Sequence, residues 1–183
     1  DKERYEHKYE YCDLLIAGTG PSGLASAYAA AKNGAKVILA EDKSRYGGSL
    51  LTSEVTIGNQ SGQEWAEQII SELKSMPNVI VKNRSQVFGY YDHNMLVMSE
   101  RVSDHLPKTD KYTPKQRLWY IRAEEVVISS GSIERPLVFG NNDAPGVMLS
   151  SAAKEYLKIY GVLVGKKPII FTNNDSGYET AIE

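Results

Sequence analysis

The residues best suited to chemistry on a ligand are the glycines of Gly18-Thr19-Gly20-Pro21-Ser22-Gly23. Gly18 permits a tight turn, and Gly20, lacking a Cβ, lets a ligand come close to the backbone. Gly23 lets a following helix pack closely on the preceding strand. With Pro21 and Ser22 opening that helix, the free N–H groups of its first turn and the dipole behind them face an anion, such as a pyrophosphate. Glu41 follows 18 residues past Gly23. A carboxylate there accepts hydrogen bonds from the hydroxyls of an adenosine ribose and repels a 2′-phosphate, which disfavours NADP. Asp42 and Lys43 come next, in a loop over the same ribose.

A bare glycine motif means little without elements to aim it. Asp13–Ala17 is a short apolar run bounded by glycine, the pattern of a buried parallel strand. Pro21–Asn33 reads as an Ala-rich helix stopped by Asn33-Gly34, and Lys36–Ala40 as a second buried strand. Together they make one β-α-β unit that places the motif between strand and helix. Gly62–Met76 carries Trp65, Ile69, Ile70 and Leu73 at helical spacing and ends at Pro77. Asn78–Lys82 is a third strand. Gln86–Tyr91, Met95–Ser99 and Leu118–Ala123 read as a small antiparallel meander inserted into the sheet at about residues 84–123, with a turn at Asp92-His93-Asn94 and a polar loop over 103–116. Glu125–Ser129 returns to a buried strand, Ser150–Tyr160 is helical, and Lys167–Thr172 reads as a strand feeding a further helix.

The expected fold is therefore α/β: a Rossmann-like FAD/NAD(P)-binding fold with a central parallel sheet, an inserted antiparallel β-meander and the start of a second nucleotide-binding-like half. Residues 1–10 read as a polar arm, 11–150 as the dinucleotide-binding domain and 151–183 as the start of a truncated second unit. Without an initiator Met, and stopping at Glu183 early in a helix, the sequence reads as a piece of a longer polypeptide.

Two later stretches fit the same ligand. Gly47-Gly48-Ser49-Leu50 falls where such domains run backbone close to the pyrophosphate, and Ser129-Ser130-Gly131 resembles the A-T-G stretch of two-dinucleotide flavoproteins. At Thr172–Gly177, where a second glycine motif would sit, only Gly177 remains. Thr172 and Asn174 would crowd a pyrophosphate, so no conventional second dinucleotide site is expected there.

Composition narrows the class. A chain of 183 residues with 42% hydrophobic and 24% charged residues is ordinary for a soluble domain. Its net charge of −2, with scattered cations, gives no case for nucleic acid. The one cysteine, Cys12, forbids an internal disulfide or a CxxC pair and reads as core. No run suits a membrane span and the start is too charged for a signal peptide, so a cytoplasmic location is expected. His7, His93 and His105 lack spaced partners for a metal. There is no nucleophile elbow or paired carboxylate, so no catalytic residue is assigned.

Beyond the glycine motif, more restrictive runs stand in order along the chain: Arg4-Tyr-Glu-His7 leading to Cys12-Asp-Leu-Leu15, Gly89-Tyr-Tyr-Asp92, Arg117-Leu-Trp-Tyr-Ile-Arg-Ala123, Ile133-Glu-Arg-Pro-Leu-Val-Phe139, Asn142-Asp-Ala-Pro-Gly-Val-Met148 and Phe171-Thr-Asn-Asn-Asp175. With these the chain resembles the nucleotide-binding region of the alpha subunit of heterotetrameric sarcosine oxidase. The resemblance implies an oxidase that demethylates sarcosine to glycine and hydrogen peroxide and passes the one-carbon unit to tetrahydrofolate. It implies beta, gamma and delta subunits as partners, FAD and FMN elsewhere in the complex, and NAD held by this region. It makes Ser22, Glu41, Asp42, Lys43, Ser49 and Val87 the NAD-contacting positions; Val87 rests on the resemblance alone. The alternatives are an FAD/NADH-dependent flavoprotein reductase domain and a nucleotide-binding scaffold subunit of a related amino-acid dehydrogenase.

Overall fold

The computed structural model describes residues 3–182. They fall into two units, one running to Gly131 and one from Ser132 onward. The division comes earlier than the expected boundary at residue 150, because residues 132–149 associate with the second unit.

The first unit is built on a six-stranded sheet. Strand β1 (Tyr5–Ala17) is followed by helix α1 (Pro21–Lys32) and β2 (Val37–Ala40). A 3-10 turn (Gly48–Leu51) and a two-residue hairpin, β3 (Thr56–Ile57) and β4 (Gln60–Ser61), lead into α2 (Gly62–Ser75). Then come β5 (Val79–Lys82), β6 (Ser85–Tyr91), β7 (Met95–Arg101) and β8 (Gln116–Ile128). The sheet order is β5-β2-β1-β8-β7-β6. β1 runs parallel to both β2 and β8, and β5 parallel to β2, while β8, β7 and β6 pair antiparallel.

Two expectations change here. Residues 5–10 are not an arm; they are the first half of β1, and 1–2 lie outside the described residues. Tyr5–Tyr11 pair residue by residue with Gln116–Arg122 of β8. The separate strands expected at 118–123 and 125–129 are one strand, β8, which carries the meander directly into the central sheet. The meander extends the sheet at its edge.

Adjacent residues of a strand point to opposite faces, so the central strands build two cores. Ile16, Val37 and Leu39 pack with Leu24 and Ala27 of α1 and Ile69, Ile70 and Leu73 of α2. Leu15, Ile38 and Cys12 pack with Leu96, Met98, Trp119 and Ile121 of the meander. Burial pushes the Cys12 thiol up to about 12, so it stays protonated and inert. Helix α2 starts with a complete capping box: Ser61 Oγ accepts from Glu64 N–H at 3.2 Å, and Glu64 Oε2 accepts from Ser61 N–H at 2.9 Å.

The second unit contains α3 (Ser150–Tyr160) and α4 (Ser176–Ile182). Gly161 closes α3 in the left-handed conformation, and Glu134 Oε2 accepts from Ser151 N–H at its start, at 2.8 Å. Lys167–Thr172 forms no strand. A buried parallel strand needs ladder partners, and here Ile169 is 96% exposed.

Candidate functional site

The glycine loop sits at the carboxyl end of β1, between strand and α1. Gly18 has φ +105°, a left-handed conformation that glycine adopts without strain, and a Cβ there would lie 2.3 Å from the Ser129 carbonyl oxygen. A Cβ on Gly23 would fall 2.1 Å from the carbonyl oxygen of Gly18. Both glycines are thus required by backbone packed on backbone. Gly20 differs, since a Cβ there would meet nothing within 4 Å; its open side is the one from which a ligand can reach the backbone.

Helix α1 then begins bare. Its N-cap, Gly20, offers no side-chain hydrogen bond, Pro21 stands in the first turn, and no acidic residue lies there. In an α-helix the first amides have no intrahelical acceptor, so Ser22 and Gly23 point N–H groups outward from the positive end of the dipole. A phosphate fits such a terminus.

Three further segments close around this loop, two of them at the carboxyl ends of parallel strands, where ligands bind in open α/β sheets. The end of β8 is tied in by Ser129 N–H donating to Ala17 O at 2.8 Å, followed by Gly131 at φ +73°. The 3-10 turn brings Gly48 (φ +54°) so close that its Cβ would sit 2.9 Å from Gly20 Cα, with Ser49 beside it. The end of β2 supplies Glu41, Asp42 and Lys43. Ser85 N–H donates to Glu41 O at 2.7 Å, which brings the start of β6, and with it Val87, to the same end of the sheet. β6 has an irregularity between Val87 and Gly89. The structure therefore gathers Gly18, Gly20, Pro21, Ser22, Gly23, Glu41, Asp42, Lys43, Gly48, Ser49 and Gly131 around one loop, while Val87 packs on the core of Cys12, Leu15 and Ile38.

Glu41 is not a freely solvated acid. It is 6% exposed; Oε2 accepts from the Thr19 amide at 3.0 Å and from the Thr19 hydroxyl, and Oε1 accepts from Lys43 N–H at 3.1 Å. Burial, and next the neighbouring Asp42 carboxyl, hold Glu41 above the usual carboxylate range against these hydrogen bonds. Thr19, wholly buried, is the partner of Glu41 that the glycine spacing alone misses. Its signal is a hydroxyl inside the motif.

A polar hollow of about 340 Å³ opens beside Asp42, lined also by Arg84, Gln86, Ser99, Arg101 and Gln116. A larger one of about 420 Å³, between Tyr46 and Lys74, is lined by none of the residues gathered at the glycine loop. Among the described residues no cluster of His, Cys, Asp and Glu could hold a metal ion, and no helix is long and apolar enough to cross a membrane.

A strand, a turn whose first and last glycines pack backbone on backbone and a bare helix terminus are the parts of a dinucleotide-binding fold. Residues 13–108 match the model of the family described as "FAD dependent oxidoreductase". The chain belongs to this family. It is 46% identical over its full length to the sarcosine oxidase subunit alpha of Rhizobium meliloti (strain 1021), covering 18% of that protein. It is 38% identical, over 97% of its length and 19% of the relative's, to the subunit of the same name from Corynebacterium sp. (strain P-1). The chain thus spans about a fifth of the length of these curated relatives. Among solved structures, an L-proline dehydrogenase from P. horikoshii superposes with a TM-score of 0.70 over 87% of this chain and 31% of the other, at 23% identity, which shows the shared fold. The FAD/NAD(P)-binding, Rossmann-like class and the resemblance to sarcosine oxidase alpha subunits are both established.

Proposed function

We propose that this chain holds the ADP half of NAD within the alpha subunit of an oxidase of the sarcosine oxidase type. One observation carries the ADP assignment: the uncapped, acid-free start of α1, wrapped by glycines whose Cβ atoms would strike backbone. In this reading the amides of Gly20, Ser22 and Gly23 and the close pass at Gly48 and Ser49 take the diphosphate. Glu41 takes the ribose hydroxyls, and Asp42, Lys43, Val87 and Gly131 border the adenosine. In this reading the dinucleotide is held without chemistry being done on it, and the residues of this chain bind and orient it. The full reaction proposed for the assembly is demethylation of sarcosine to glycine, with hydrogen peroxide and a one-carbon unit for tetrahydrofolate as the other products. Beta, gamma and delta subunits would be its partners and the cytoplasm its location. What supports this is the similarity to sarcosine oxidase alpha subunits along the whole chain.

A second reading, FAD in the same cradle, draws on the description of the family. Glycine loop and ribose carboxylate serve either dinucleotide, since both share the ADP half. Denaturing the purified protein and identifying the released nucleotide by mass spectrometry separates them. NAD is the expected result; a stoichiometric flavin favours the second reading. No released nucleotide, together with no binding of NAD, FAD or ADP in titration, overturns both.

A further inference from the structure

The motif reading leaves Thr19 as a spacer between two glycines, yet its side chain is wholly buried and fully engaged. Its hydroxyl donates to Glu41 Oε2, and the same oxygen atom accepts from Gly47 N–H at 3.2 Å. A hydroxyl has one proton and two lone-pair directions. Because Gly47 N–H must meet a lone pair, the proton is directed at Glu41. The Thr19 amide donates to the same carboxylate oxygen at 3.0 Å, so Oε2 is bound twice by one residue. Oε1 accepts from Lys43 N–H at 3.1 Å, the Asp42 carboxyl is hydrogen-bonded to the same side chain, and each carboxylate oxygen has two acceptor directions. Thr19 thereby joins the glycine loop, the end of β2 and the Gly47-Gly48 turn, and holds the long, otherwise rotatable Glu41 side chain in one orientation.

We propose that Thr19 is a positioning residue whose hydroxyl sets Glu41 for a ribose diol and so determines the selectivity of the site for a ribonucleotide. The inference rests on the dinucleotide reading above. A preoriented carboxylate accepts a ribose hydroxyl without first losing side-chain freedom. A carboxylate released from Thr19 keeps its charge but loses its aim.

The test uses the full chain, with ADP and 2′-deoxy-ADP as probes in calorimetric titration. The wild-type protein is expected to prefer ADP by about ten-fold, the scale of one hydrogen bond to a charged acceptor. In Thr19→Val, which keeps the shape and removes the hydroxyl, that ratio should fall to about one. Thr19→Ser should restore it, and Thr19→Val combined with Glu41→Gln should lower it no further than Glu41→Gln alone. If Thr19→Val weakens both probes equally and the ratio persists, Thr19 is only structural and the proposal fails. If the wild-type chain binds neither probe, the dinucleotide reading itself falls, and this one with it. Should Thr19→Val not fold, NMR of the wild-type chain decides. A slowly exchanging Thr19 hydroxyl proton that shifts with ADP more than with 2′-deoxy-ADP supports the proposal; equal shifts, or rapid exchange with solvent, overturn it.

Discussion

Two loops in this molecule lead into a helix and end on a glycine, and they solve the problem of the bare helix start in opposite ways. At Gly18–Gly23 the loop provides no cap, and α1 presents its first amides outward. At Thr172–Gly177 the loop's own side chains do the capping. Asn174 Oδ1 accepts from Ser176 N–H at 3.1 Å, and Thr172 Oγ1 accepts from Asn174 N–H at 3.2 Å. Gly177, the one glycine kept, faces Thr172, whose Cβ would lie 2.8 Å from an added methyl. A loop that satisfies its own helix has spent the donors that an anion would need. The start of a helix can therefore be a ligand cradle or a self-sealed turn, and the choice lies with the side chains of the loop before it.

The contrast is sharpest for alanine substitutions. Gly23→Ala sets a methyl 2.1 Å from backbone, where nothing flexible can yield. Overpacking of this kind costs about 1–3 kcal/mol or more, so a lower thermal midpoint and loss of ADP binding are expected together. Gly177→Ala would set a methyl 2.8 Å from Thr172 Cβ, an atom that side-chain rotation does not move, so it too should lower stability, but it should leave ADP binding intact. Equal effects of the two substitutions on ADP binding would erase the distinction.

Glu41→Gln comes next. It should weaken ADP about ten-fold or more, on the scale of hydrogen bonds to a charged group, in titrations at pH 7.5. Stability should move the other way. Glu41's folded pKa lies above its unfolded value, so its stabilisation is complete below the unfolded pKa and is lost as pH rises through the folded one. The substitution should therefore remove a decline in thermal midpoint across that window and cost little at neutral pH.

Glu100 has the opposite sign. Burial pushes it up, but hydrogen bonds from Lys82, Trp119 and Arg117 outweigh burial and hold it below the usual range. Its contribution is present above the unfolded pKa and is lost as pH falls through the folded one. Glu100→Gln should flatten the acid limb of the stability profile and leave ADP binding unchanged. The smallest effect is expected from Asn174→Ala, which removes a cap worth about 0.5–2 kcal/mol, destabilises the second unit only and leaves ADP affinity untouched.

The first β-α-β unit was legible because its strands are buried on both faces and so read as unbroken apolar runs, with glycine marking the turn. The first half of β1 was not, because its pattern is inverted. Tyr5, Tyr9 and Tyr11 face solvent, with Tyr9 stacked on Tyr120, while Glu6 turns inward to Arg117 at 3.0 Å. Hydropathy expects the aromatic side to be the covered one. What makes this stretch a strand is its ladder with β8, more than a hundred residues along the chain, which no local window contains. At the site, Gly18 and Gly23 could be read from the sequence because backbone packing dictates them. Thr19 could not, since its role depends on a carboxylate 22 residues away and on the amide of Gly47.

The most direct test of the central claim is amide NMR of the chain titrated with ADP and, separately, with adenosine. ADP should shift the amides of Gly20, Ser22 and Gly23 strongly, adenosine should leave them nearly unmoved, and Ser176 and Gly177 should respond to neither. Binding of ADP that leaves the start of α1 undisturbed, or that shifts Ser176 and Gly177 instead, would contradict the account.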